Sequence, residues 1–196
     1  MRGWLSKALL LGGSAILVWC ASVWASAALF EKYESWRWNS RYPEATHARV
    51  IPVNETRLVM ADARPKPHDV IAWLDVPRLH ISTAVLEGDD DLALRLGAGH
   101  IPGTPIPGVA GNVGIAAHRD SFFRSLGGIE RQDRIRLRTP EGDWEYTVDS
   151  TRIVRPSNFS VLANSGQAEL TLVTCYPFRY VGAAPLRFVV HARRTE

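Results

Sequence analysis

From Val70 to the C-terminus, apolar and polar residues alternate in short runs separated by turn residues. "VIAWLDVP" and "HISTAVLEG" mix the two classes over strand-like lengths, and "ELTLVTC" and "LRFVVHARR" close the chain in the same manner. "DRIRLRTPEGDWEYTVDSTRIV" predicts two strands joined at a "PEGD" turn. Two short helices are predicted between the strands, at Asp89 to Leu96 and Asp120 to Ile129. In the second, Asp120 or Ser121 is placed to cap a turn that buries Phe122, Phe123, Leu126 and Ile129. Many short strands with few helices predict a mostly β domain, a compact barrel or a sandwich.

The alternation also aims individual side chains. In "ELTLVTC", Leu170, Leu172 and Thr174 share one face while Thr171, Val173 and Cys175 share the other. In "LRFVVHA", Leu186, Phe188 and Val190 form an apolar face, which turns Arg187, Val189 and His191 the opposite way. If these two strands are antiparallel neighbours, the thiol of Cys175 and the guanidinium of Arg187 meet at their facing ends, across the loop "YPFRYVGAAP".

The N-terminal pattern is of another kind. Ala8 to Phe30 carries no charged residue, and at ~1.5 Å rise per residue it is long enough for the ~30 Å apolar core of a bilayer. Arg2 and Lys7 precede it without an acid, which predicts a cytoplasmic N-terminus (1–7), a single span (8–30) and an exported remainder. Tyr33, Trp36 and Trp38 follow like an interfacial belt. The competing reading is a cleaved signal peptide ending at the small residues Ala25 to Ala27. Glu31 to His68, with Pro43, Pro52, Pro65 and Pro67, reads as a stalk with a strand-like "RVIPV", and the folded domain is expected over 69–196.

Length and charge narrow the picture further. A chain of 196 residues, 46% hydrophobic, suits one domain with appendages. The net charge of +3 is spread among acids rather than gathered into a block, so nucleic acid is not an expected partner.

Only two cysteines occur, and Cys20 lies inside the apolar segment. Cys175 is therefore a lone thiol in an exported domain, where a free thiol is buried, paired between chains or chemically used. His47, His68, His80, His100 and His191 are expected at the surface. His118 differs, ending the apolar run "GNVGIAAH" directly before "RDSFF", at an edge where a rigid scaffold can present a reactive side chain.

"GNVGIAAHRDSFF", "ELTLVTCYP" and "PLRFVVHA" resemble the three signature segments of sortases, the membrane-anchored cysteine transpeptidases, and "HRDSFF" with "TCYPF" is most similar to the class D branch. The likeness runs in the family's order over about Val70 to Arg194. "TLVTC" matches the TLxTC motif in full, while Ala117 stands where the family usually has glycine before the histidine. The resemblance implies a sortase-like closed β-barrel. It implies Cys175 as nucleophile, His118 as proton-transfer group and Arg187 as electrostatic stabiliser, with Thr174 as a substrate contact. It also implies, as partners, an exported protein with a C-terminal LPxTG-like sorting signal and an amine acceptor. No acidic cluster matches the calcium site of some class A members, and no metal or cofactor is expected.

The chemistry is coherent without the family: thiolate is a strong nucleophile, imidazole moves protons, and a guanidinium stabilises an oxyanion. Three other readings use the same residues. A non-catalytic peptide-binding barrel needs no thiol reactivity, a redox protein normally carries a second nearby cysteine, and Cys175, His118 and His191 form a conceivable zinc set.

Overall fold

The computed structural model describes residues 2–41 and 65–195; the strand-like "RVIPV" falls outside them. Eight strands form one closed barrel: β1 (Val70–Val76), β2 (Ile81–Glu87), β3 (Ala98–His100), β4 (Asn112–Ala116), β5 (Arg134–Thr139), β6 (Gly142–Val154), β7 (Glu169–Tyr176) and β8 (Leu186–Arg194). Their order around the wall is β1-β2-β3-β4-β7-β8-β6-β5, and β5 pairs back onto β1 through Leu74 and Leu137. That closure decides for barrel over sandwich. Among the described strands it leaves no free sheet edge.

The alternation seen in the sequence sorts the wall. In β5, Ile135 and Leu137 are buried while the alternating Arg134 and Arg136 are exposed. Leu74, Val85, Ile115, Leu172 and Val190 join them from other strands to fill one apolar core. The two strands expected around "PEGD" are β5 and β6, paired from Arg134↔Thr147 to Thr139↔Gly142.

Two expectations about local structure need correction. The segment 120–129 is not an α-helix: it makes turns and a 3₁₀ stretch at Arg124–Gly128, with no side-chain cap at its start. Consecutive glycines, Gly127 and Gly128, disfavour a longer helix, although Phe123, Leu126 and Ile129 are buried as expected. β3 was not expected at all. It pairs parallel with β2 and antiparallel with β4, and Gly99 permits it, because a side chain there would collide with the carbonyl oxygen of Gly88. The first predicted helix is α2 (Asp91–Leu96), capped by Asp90 Oδ1, which accepts from the amides of Leu92 and Ala93.

The N-terminal segment is a single helix, α1 (Arg2–Arg41). Its C-terminal end lies on the barrel, with Trp38 packed among Trp73, Ala84, Leu86 and Ala93 and Asn39 Oδ1 accepting from Arg138 Nη1 at 3.2 Å. Trp38 is thus a packing residue rather than part of an interfacial belt, while Tyr33 and Trp36 are exposed. Among the described residues, no helix is long and apolar enough to cross a membrane.

Candidate active site

β4 and β7 run parallel, side by side, with Ile115 opposite Leu172 and Ala116 opposite Val173. The pairing continues past the end of β4, where the Ala117 amide donates to the Val173 carbonyl at 3.2 Å. Thr174 then donates its hydroxyl to the Ala117 carbonyl at 2.7 Å. The next residue along each chain is His118 on one side and Cys175 on the other. Two hydrogen bonds therefore fix the backbone that carries the imidazole against the backbone that carries the thiol.

β7 and β8 are antiparallel neighbours, and their register places Cys175 directly opposite Arg187. Cβ atoms of such a pair stand about 5 Å apart on one face of the sheet. The juxtaposition expected from the alternation is thus present. Cys175, His118 and Arg187 border one cavity of about 670 Å³. The Cys175 thiol is unpaired and half-buried, His118 is exposed, and Arg187 is half-buried with Nη1 donating to the carbonyls of Leu186 at 3.0 Å and Ala184 at 3.3 Å. Those bonds hold the guanidinium at the start of its strand.

Two loops complete the cavity. Residues 101–111 contribute Ile101 and Pro102, and residues 155–168 contribute Pro156, Phe159, Val161 and Leu162. Gly114 on β4 lies beneath both, since a Cβ there would come within 3.0 Å of Leu162 Cδ2 and Thr104 Cγ2. An apolar cleft with a thiol, an imidazole and a guanidinium at its wall suits an extended peptide whose carbonyl is attacked by sulfur.

Thr174 also borders this cavity, whereas His191 lies outside it. Thr174, expected to contact substrate, is only 2% exposed, and its hydroxyl is engaged by Ala117. His191 borders a separate polar cavity of about 270 Å³ with Asp149, Arg152, Glu169 and Arg193. Burial, assisted by the Arg152 charge, lowers its pKa below the ordinary histidine value, and Nδ1 lies 3.1 Å from Thr171 Oγ1. Among the described residues no group of three or more His, Cys, Asp or Glu side chains is placed so that it could hold a metal ion. Cys175, His118 and His191 accordingly do not share a zinc site.

His100 is not a surface histidine. It is 3% exposed, with Nδ1 at 2.9 Å from Glu87 Oε2 and Nε2 at 3.0 Å from both the Pro105 carbonyl and Thr104 Oγ1. This cluster ties β2 and β3 to the 101–111 loop. The burial of β3, invisible in so short a run, is what hid it.

The fold and the cavity together define a closed eight-stranded barrel that presents a cysteine, a histidine and an arginine at one cleft. The Sortase domain family model matches residues 74–195, and the chain belongs to the sortase family of cysteine transpeptidases. Sortase D of Bacillus subtilis (strain 168) is 33% identical over 135 residues, 68% of each chain. Sortase A of Bacillus anthracis is 28% identical over 136 residues, 65% of this chain and 64% of that protein. Among solved structures, a Clostridium perfringens Sortase D5 transpeptidase aligns with a TM-score of 0.63 at 25% identity, covering 75% of this chain and 91% of that one. A Clostridium perfringens sortase C, solved with the C-terminal cell wall sorting motif, shares the fold at a TM-score of 0.61 and 23% identity over 74% of this chain and 85% of that one.

Proposed function

We propose that this chain is a membrane-anchored transpeptidase that cleaves an LPxTG-like sorting signal in exported proteins and passes the acyl part to an amine. The observation that carries the reading is the register pair Cys175↔Arg187 at a cavity that also holds His118. In the first half-reaction the Cys175 thiolate attacks the peptide carbonyl, and Arg187 stabilises the oxyanion. As the C–N bond breaks, His118 protonates the departing amine and a thioester remains. In the second, an incoming amine gives up a proton to His118 and attacks the thioester. The C–S bond breaks and the thiolate returns.

The Clostridium perfringens sortase C solved with the C-terminal cell wall sorting motif supports a peptide of that class. No described helix by itself meets the length and hydropathy of a membrane span, so the anchor rests on the charge-free stretch Ala8 to Phe30 and on the exposure of Leu9, Leu10, Leu11, Ile16, Leu17, Val18 and Trp19 on α1, and it places the catalytic domain on the extracytoplasmic side.

The test is to incubate the protein with an LPxTG-type peptide and a soluble amine such as triglycine, and to follow products by mass spectrometry. The unaltered protein should release the C-terminal fragment and form the amide, while Cys175→Ala should do neither and unfold at the same temperature. Turnover by Cys175→Ala would refute the mechanism. Slow, free-thiol-like alkylation of Cys175 with no peptide product would favour a non-catalytic peptide-binding barrel.

A further inference from the structure

The loop between Cys175 and Arg187 has little structure of its own. Among the described residues, no main-chain hydrogen bond outside helices and strands involves residues 177–185, and Arg179 to Ala183 are exposed. Its carbonyls are nevertheless partnered. Arg119, the residue after His118, donates from Nη1 to the Pro177 carbonyl at 2.9 Å, and from Nη2 to the carbonyls of Tyr180 at 2.7 Å and Gly182 at 3.1 Å. Its Cζ lies 5.7 Å from the Tyr180 ring centroid, within cation–π range. One guanidinium thus gathers three carbonyls from a segment otherwise held by the packing of Phe178 on the core and by the bond from Arg187 to Ala184.

The placement relative to the reacting groups is what gives this contact a consequence. On the near side of His118, Ala117 is bonded to Thr174, the residue before Cys175. On the far side, Arg119 is bonded to Pro177, two residues after Cys175. His118 and Cys175 are therefore each bracketed by residues that hold the other's chain. The same loop delivers Arg187, which donates to Ala184 within it.

Resting on the transpeptidase reading, we propose that Arg119 is a positioning residue for the reaction: it locks the 177–185 loop and so sets the spacing of His118, Cys175 and Arg187. The lock needs the planar guanidinium, because its bonds are divided between two rigidly spaced nitrogens, whereas a lysine presents one compact ammonium on a flexible stem. Loss of the lock leaves core packing intact and displaces the groups by fractions of an ångström to an ångström, a scale on which reaction rates are sensitive.

The experiment uses the full-length chain in detergent micelles and the variants Arg119→Ala and Arg119→Lys. Steady-state kinetics on an LPxTG-type peptide are read beside the rate at which trypsin cuts after Arg179, followed by mass spectrometry. Arg119→Ala should lower kcat about tenfold or more with a smaller change in KM, and accelerate the cut after Arg179 by at least tenfold, while Arg119→Lys recovers part of both. An unchanged cut after Arg179, or unchanged kcat in Arg119→Ala, overturns the proposal. So does full recovery by Arg119→Lys, since one point charge would then suffice. If Arg119→Ala fails to fold, Arg119→Lys alone decides by the same two readouts. Peptide left uncleaved by the unaltered protein refutes the transpeptidase reading, whereas the hold of Arg119 on the loop is still decided by the cut after Arg179.

Discussion

Thr174→Val removes one oxygen from the wall of the barrel and nearly nothing else. The Thr174 hydroxyl donates to Ala117 at 2.7 Å, and the two residues are 2% and 5% exposed, so water cannot readily replace the bond. Losing a neutral hydrogen bond and stranding a buried carbonyl together cost about 1–3 kcal/mol. At about 2 kcal/mol, a domain of this size should unfold roughly 4–8 °C lower. Because the carbonyl belongs to the residue before His118, the imidazole should also lose its fixed distance from Cys175, and kcat should fall about tenfold with less change in KM. Thr174→Ser keeps the hydroxyl and should recover most of both losses. Circular dichroism melts and peptide kinetics on the three proteins test this. A Thr174→Val protein that melts and turns over like the original would refute the idea that this bond aligns the two chains.

Arg187→Ala should lower kcat by about 10²-fold with little effect on unfolding temperature, and Arg187→Lys should recover only part, as expected for loss of a planar oxyanion donor; normal turnover would shift the role to another cation, with Arg179 in the preceding loop the next candidate. Gly114→Ala places a methyl within 3.0 Å of Leu162 and Thr104 and 3.2 Å of Ile101 Cβ, so it should push both cavity loops outward, costing about 1–3 kcal/mol in urea unfolding and raising peptide KM several-fold. Asp133 accepts from Arg78 Nε and Nη2, each at 2.5 Å, which holds its carboxyl below the usual carboxylate range against the opposing effect of burial. A depressed folded pKa means stabilisation that is complete above about pH 4, the ordinary aspartate region, and lost as pH falls through the depressed value. Asp133→Asn should flatten that acid limb in urea titrations from pH 7 to pH 2; an unchanged limb would assign the acid sensitivity to other carboxylates.

How far the sequence reached depends on the range of the forces involved. Strand alternation is local, set by the two-residue repeat of side-chain direction, and it turned Cys175 and Arg187 each away from the leucine-bearing face of its own strand. Once β7 and β8 were antiparallel across their loop, the pairing of those two residues followed from register. The reactive role of His118 rested on its position at the end of an apolar run and on likeness to a family motif. Both are properties of a few adjacent residues.

Other features were decided by contacts between distant residues, which no local pattern encodes. β3 is three residues long and contains Gly99; it becomes a strand because β2 and β4 flank it. His100 is buried because that strand is. The helix expected over 120–129 gave way to a 3₁₀ turn at a glycine pair, where Gly127 lies so close to the Phe178 ring that a Cβ would stand 2.9 Å from it. Trp38 suits a bilayer surface as well as a protein surface, and packing against Trp73 and Leu86 selected the latter. Arg119 is one arginine among many in the sequence, with no spacing to distinguish it. Its partners are carbonyls of a loop 58 to 63 residues further on, and the sequence does not mark which carbonyl a folded chain will leave in need of a donor. Residue type and alternation determined which chemistry the chain carries and which way it faces, whereas strand order determined which groups meet, because the pairing that sets β7 between β4 and β8 joins segments far apart in the chain.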